Sequence, residues 1–238
     1  MTNYLVNLSE AQDRLEFQKD QFKLLGLCFE RFEACRDDES CVDRFRWWCV
    51  TLRPRVRGEV GCARSHATIY RKLVESGEAC AAVFEDDIVL SKSMAQALVA
   101  AERKCREDPK AVVLFGDHRR FNRGEPVADE GAEIGIEPTD WDHSTEGYAI
   151  GREAAAALAR VQRQVRAPAD AWTYFRRKGL VHLYRATPPV CAQHPNRFGS
   201  SIGERYVVAG KPFVERCWWK FRRVIGVVLD GLLDGGRF

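Results

Sequence analysis

Glu85, Asp86 and Asp87 stand in a row directly after the apolar run Ala79-Cys80-Ala81-Ala82-Val83-Phe84. The run reads as a buried strand, and carboxylates that end such a strand are costly to desolvate unless a positive charge meets them. Positions i and i+2 of an extended chain face the same way, so Glu85 and Asp87 can address one site. A hard divalent cation, Mg²⁺ or Mn²⁺, takes oxygen from one or two carboxylates and completes its shell with substrate phosphates. The carboxyl edge of an α/β sheet is where such a ligand binds. The bland alternative is a solvated acidic turn. There is no G-x-G-x-x-G after the first strand, no G-x-x-x-x-G-K-[ST] and no G-x-S-x-G. Phosphates, if bound, are therefore expected on a metal rather than in a glycine-rich cradle.

The elements that must position the triplet follow from periodicity. Tyr4–Leu8 reads as a strand, and Ser9 with Gln12 as a capping box opening a helix over residues 10–25, stopped by Gly26. A second strand spans Leu27–Ala34, so the chain opens β-α-β, the start of an α/β domain. Residues 36–59 are arginine-rich and read as a loop or excursion, with Trp47-Trp48 as a local core or an aromatic patch. A helix over 61–75 ends at Gly77. Ile88-Val89-Leu90 follows the triplet, Ser91 caps a helix reaching residue 106, and Ala111–Gly116 is another buried strand. Residues 117–142 read as one long loop. Beyond it come a short strand at Gly147–Ile150, a helix over 153–165, a short helix with Asp170 as N-cap, and a strand at Leu180–Tyr184.

Composition bounds the rest. The chain has 238 residues, 45% hydrophobic and 30% charged, which fits a globular protein. A net charge of +3 does not argue for nucleic acid, and no nucleic-acid-binding motif stands out. Nine cysteines without a C-x-x-C pair speak against a structural zinc site and for a reducing compartment. No signal peptide and no run of bilayer-spanning length is legible, so the expected location is cytoplasmic.

The spacing of several blocks adds a resemblance. Val6-Asn7-Leu8 with Asp13-Arg14, Gly58-Glu59-Val60-Gly61-Cys62-Ala63-Arg64-Ser65-His66, Glu85-Asp86-Asp87, Thr145-x-Gly147-Tyr148-x-Ile150 and Pro168-x-Asp170 occur in this order over about 170 residues. Together they resemble glycosyltransferase family 25, which includes lipooligosaccharide and collagen galactosyltransferases. One departure is Glu10, where the family commonly has arginine. The resemblance implies an α/β fold of GT-A type, a mixed sheet flanked by helices that binds a nucleotide sugar. The triplet would be its D-x-D-like motif, with Asp87 on Mn²⁺ or Mg²⁺ and Glu85 or Asp86 reaching metal or ribose. His194 would be a further metal ligand or an ordinary loop histidine. Asn7, Leu8, Arg14, Ser65, His66 and Tyr148 would contact the donor or line its pocket. Inverting transfer needs a base, for which Asp170 is the first candidate and Asp117 the reserve; Asp170 as an ordinary cap is the alternative.

The implied reaction moves a hexose, galactose from UDP-galactose, onto a lipid-linked oligosaccharide of the lipopolysaccharide type. A non-catalytic nucleotide-sugar-binding or glycan-binding protein of the same fold is the alternative, and Glu10 is the feature that allows it. Phe213, Val214, Cys217, Trp218, Phe221, Val224, Ile225, Val228 and Leu229 recur at helical spacing among Arg216, Lys220, Arg222 and Arg223. Residues 213–238 therefore read as a basic amphipathic tail on a domain of residues 1–212. The tail suits either an anionic membrane surface, even as a membrane adaptor, or packing on the domain.

Overall fold

The computed structural model describes residues 1–36, 57–117, 131–142 and 145–194. Its frame is a seven-stranded mixed sheet in the order β2-β1-β3-β7-β5-β8-β6. The strands are β1 (Thr2–Asn7), β2 (Glu30–Glu33), β3 (Cys80–Glu85), β5 (Ala111–Leu114), β6 (Gly135–Pro138), β7 (Gly147–Gly151) and β8 (His182–Thr187). A separate pair joins β4 (Ile88–Leu90) to β9 (Cys191–Gln193) in antiparallel register. The helices are α1 (Gln12–Leu24), α2 (Arg57–Ser76), α3 (Met94–Glu107), α4 (Arg152–Val161) and α5 (Trp172–Arg177).

Period-two alternation in the central strands decides which helix meets which face. Leu5, Ala82, Phe84, Val113 and Ala149 pack on α1 and α3 through Leu15, Phe22, Met94, Ala97 and Ala101. Tyr4, Val6, Ala81, Val83, Val112, Leu114, Tyr148 and Ile150 pack on α2, α4 and α5 through Ile69, Leu73, Leu158 and Trp172. Burial on both faces explains the unbroken apolar runs of β3 and β5. The mixed sheet flanked by helices is an α/β architecture consistent with the GT-A-like fold that the resemblance implied.

Strand directions gather the chemistry. β1 and β3 are parallel, and β7 runs against both β3 and β5. Asn7, Glu85 and the chain leaving β5 therefore emerge at one carboxyl edge, where β7 begins. The strap β4–β9 adds a second tie there, since the His194 amide donates to the Asp87 carbonyl at 2.7 Å.

Some expected details differ. No capping box forms on α1: Ala11 holds the N-cap position without a side-chain bond, and Gln12 Nε2 instead donates to the Ser9 carbonyl at 2.5 Å. Ser91 is not the cap of α3, which starts at Met94 after Ser93; its hydroxyl accepts the Ser93 amide in a short turn. Asp170 is not the cap of α5, whose N-cap position is Ala171; its carbonyl accepts the Trp172 amide at 2.8 Å. The long loop contains a strand, β6, because its backbone completes the sheet edge on β8 despite a polar sequence. Gly26 does stop α1 at φ 64°, with Leu27 N–H on the Phe22 carbonyl and Gly26 N–H on that of Lys23. Trp47-Trp48 and the tail 213–238 lie outside the described residues.

Candidate nucleotide-sugar site

The triplet divides where β3 ends. Alternation carries Glu85 to the α2 face and Asp86 to the α1 face, and the chain turns at Asp86-Asp87. Asp86 is 8% exposed and meets α1: Asn7 Nδ2 donates to it at 2.7 Å and Arg14 Nη1 at 3.0 Å. Gln18 and Gln21 extend the contact, donating to the carbonyls of Asp86 and Ile88. Burial nevertheless raises the Asp86 carboxyl, against the lowering effect of Asn7 and Arg14.

Asp87 lies on the strap side. Its Oδ2 accepts from Gln193 Nε2 at 3.0 Å and sits 3.8 Å from Arg14 Nη1. Its Oδ1 is buried without a hydrogen-bond partner among the described residues. A carboxylate oxygen in that position lacks the compensation buried acceptors normally find. A carboxylate oxygen of this kind is a donor that a hard divalent cation takes. His194 follows β9 beside it, its ring centroid 5.7 Å from that of Phe17.

Glu85 meets other partners. Thr145 donates a short hydrogen bond to its Oε1, and Cys62 Sγ approaches the same oxygen at 3.9 Å. Burial, then the charge of Asp87, push its carboxyl up to about 8, with Glu146 and Asp86 adding. Glu85 and Asp87 thus share a field without sharing hydrogen-bond partners.

On α2, His66 is 1% exposed and burial pushes its imidazole down to about 4. Its Nδ1 lies 2.6 Å from the Tyr148 hydroxyl, which lies 2.9 Å from that of Tyr70. Tyr148 is fully buried beside the edge, ring to ring with His66 and Trp172. Ser65 is equally buried; it donates to the Gly61 carbonyl and accepts the Cys35 amide, tying the chain after β2 to α2. Asn7 holds the same edge together, bonding Asp86, the Ala11 carbonyl and Arg31. Half-buried Leu8 accepts the Ala11 amide, and exposed Glu10 pairs with Arg36.

The two base candidates occupy different ground. Asp117, 9% exposed, is bound by Arg185 Nη1 at 2.8 Å, and the same guanidinium reaches Asp142 at 2.9 Å. Asp170 is half-buried at the turn before α5, next to Ala169, which packs with Val60 and Ala63 of α2. The fold therefore brings Asn7, Arg14, the triplet, His66, Tyr148 and His194 together around one edge, with Asp117 after β5 tied to Arg185.

Sequence reasoning did not single out Cys62, Thr145, Gln18, Gln193 or Arg185 as site residues. Gln18 and Gln21 were findable: with Arg14 they stand at i, i+4 and i+7 of α1 and mark a polar stripe where an apolar one would be usual. Gln193 and Arg185 carry no such pattern, because only tertiary pairing places them.

Over 81% of its length the chain is 26% identical to the lacto-N-neotetraose biosynthesis glycosyltransferase LgtE of Neisseria gonorrhoeae, covering 74% of that protein. Over 67% of its length it is 29% identical to procollagen galactosyltransferase 1-A of Xenopus laevis, covering 28% of that longer protein. It is 21% identical to the lipooligosaccharide biosynthesis protein lic2B of Haemophilus influenzae, over 66% of this chain and 62% of that one. The family described as glycosyltransferase family 25 (LPS biosynthesis protein) matches residues 1–173, and the chain belongs to that family.

Proposed function

We propose that this protein is a cation-dependent, inverting hexosyltransferase that takes galactose from UDP-galactose and adds it to a lipooligosaccharide-type acceptor. The observation that carries the reading is the buried, unpartnered Oδ1 of Asp87 at the edge where the family's blocks converge. Galactose is favoured by the name of the Xenopus relative, and a bacterial glycolipid acceptor by those of the Neisseria and Haemophilus relatives.

Asp87 would hold Mn²⁺ or Mg²⁺, with His194 beside it. When bound, the cation supplies a Lewis acid that offsets the charge of the departing diphosphate. The chain's own residues prepare that edge. Arg14 and Asn7 fix Asp86, which anchors the turn and so holds Asp87 in place. Glu146 adds to the negative charge near that edge, which together with burial pushes the Glu85 carboxyl up. The proton of the acceptor hydroxyl would go to the Asp170 carboxylate at the turn before α5, with Asp117, which Arg185 engages, as the reserve.

The test is UDP release from UDP-galactose, with Mn²⁺ and a lipooligosaccharide acceptor. Asp87→Ala is expected to lose at least about 100-fold in rate, the scale of a removed electrostatic stabiliser, with an unchanged circular dichroism spectrum. Full activity in Asp87→Ala would sink the cation role, and preference for another UDP-sugar would sink the donor. Across the described residues no helix is long and apolar enough to cross a membrane. Contact with an anionic membrane is proposed for the tail 213–238 alone.

A further inference from the structure

The side of α2 turned toward the end of β3 carries a cluster that the transfer chemistry leaves unused. Cys62 and His66 stand one helical turn apart and therefore share a face. Cys62 Sγ and His66 Nε2 each lie 3.9 Å from Glu85 Oε1, and one ligand atom from each of the three falls within 4.8 Å of the others. Ligand atoms of a tetrahedral site with bonds of about 2.0–2.3 Å lie roughly 3.3–3.8 Å apart, so small side-chain shifts would close the cluster on an ion.

A second observation points to a ligand. Among the described residues His66 Nε2 is buried without a hydrogen-bond partner, on a ring that is 1% exposed, and it faces Glu85. The opposite nitrogen, Nδ1, is held 2.6 Å from the Tyr148 hydroxyl, itself 2.9 Å from that of Tyr70. Metal-bound imidazoles use this arrangement, one nitrogen fixed by an oxygen partner and the other aimed at the ion. Thr145 fixes the Glu85 carboxylate in the same way.

We propose that Cys62, His66 and Glu85 form a second cation site, separate from that of Asp87, which takes a borderline-soft divalent ion such as Zn²⁺. Thiolate and imidazole select against Mg²⁺ and Mn²⁺, which the oxygen environment of Asp87 suits. Binding displaces the Cys62 thiol proton, and that of the Glu85 carboxyl where it holds one, to solvent. Three protein ligands leave a fourth position for water or a substrate oxygen.

The experiment uses the tag-free, chelator-stripped full chain, titrated with Zn²⁺ by calorimetry and with Co²⁺ by absorption spectroscopy. A single equivalent of Zn²⁺ should bind, and Co²⁺ should show a thiolate-to-metal charge-transfer band. Cys62→Ser, a near-isosteric change at a partly exposed position, should weaken Zn²⁺ at least about 10-fold and abolish the band. His66→Gln, with its fold checked by circular dichroism, should weaken Zn²⁺ as well. Asp87→Asn should keep both the Zn²⁺ and the band while losing transfer, which separates this site from the proposed catalytic one. The inference is overturned if the wild type binds no stoichiometric Zn²⁺, if Co²⁺ gives no thiolate band, or if Cys62→Ser binds as the wild type does.

Discussion

Arg14 meets Asp86 at 3.0 Å and Asp87 at 3.8 Å, with side-chain exposures of 10%, 11% and 12%. At that burial the value of the pair lies less in attraction than in what removing one member leaves behind. Arg14→Met would leave Asp86 without its cation, held by Asn7 alone among the partners described, and a broken buried pair costs about 3–5 kcal/mol. Urea denaturation of the metal-free protein should show a loss of this size. Adding Asp86→Asn should recover at least about half of it, since the carboxylate nearer to Arg14 is then neutral and only Asp87 is left without the guanidinium. A single variant within about 1 kcal/mol of the wild type would mean that water already screens the pair. The chemistry of the triplet was legible in the sequence because an apolar strand ended in carboxylates. Its division was not. Alternation predicts a shared side for Glu85 and Asp87, but the chain turns at Asp86-Asp87, and Asp87 takes its partner from Gln193, across the strap.

The joint between α3, β5 and β8 rests on Asp108, which accepts from the His182 ring at 2.9 Å, the Tyr184 hydroxyl at 3.1 Å and the Lys110 amide at 3.1 Å. Burial pushes its carboxyl up, but these bonds outweigh burial and hold it below the ordinary 3.8. A lowered folded-state pKa means that the unfolded chain binds the proton first. The contribution is therefore present above about pH 4 and lost as pH falls through the depressed value. Asp108→Asn should destabilise the protein at pH 7 and lose that difference near pH 3; a difference independent of pH would reject the assignment. Backbone proximity governs another joint. A Cβ on Gly151 would sit 2.4 Å from the Pro109 carbonyl oxygen, whereas one on Gly26 meets nothing within 4 Å and suffers only from φ 64°. Gly151→Ala should therefore lower stability by about 1–3 kcal/mol, more than Gly26→Ala, in the same denaturation assay. Elements buried on both faces, such as β3 and β5, were readable from their apolar runs. The exposed edge strand β6 was not, since its pairing with β8 is made by backbone. The expected caps at Ser9, Ser91 and Asp170 failed because each capping residue lies outside the N-cap position that the chain adopts.

At the scale of the whole molecule, the carboxyl edge joins segments far apart in sequence: the end of β1, the start of α1, the turn after β3 and the strap residue Gln193. A ligand seated there would hold all of them at once, so its binding should be felt as global stability. A ligand at a hundredfold excess over its Kd adds about 2.7 kcal/mol. For a chain of 238 residues, at about 2–4 °C per kcal/mol, that corresponds to a rise in Tm of roughly 5–10 °C. UDP-galactose with Mn²⁺ should give a shift of this order, and UDP-galactose with chelator much less, because like charges of diphosphate and triplet then face one another without a cation between them. Asp87→Asn should lose the Mn²⁺-dependent part of the shift, whereas Cys62→Ser should keep it, since the softer site is independent of that ion. Stabilisation by UDP-galactose that is equal with and without Mn²⁺ would place the diphosphate on protein groups alone, and would remove Asp87 from the mechanism proposed for this edge.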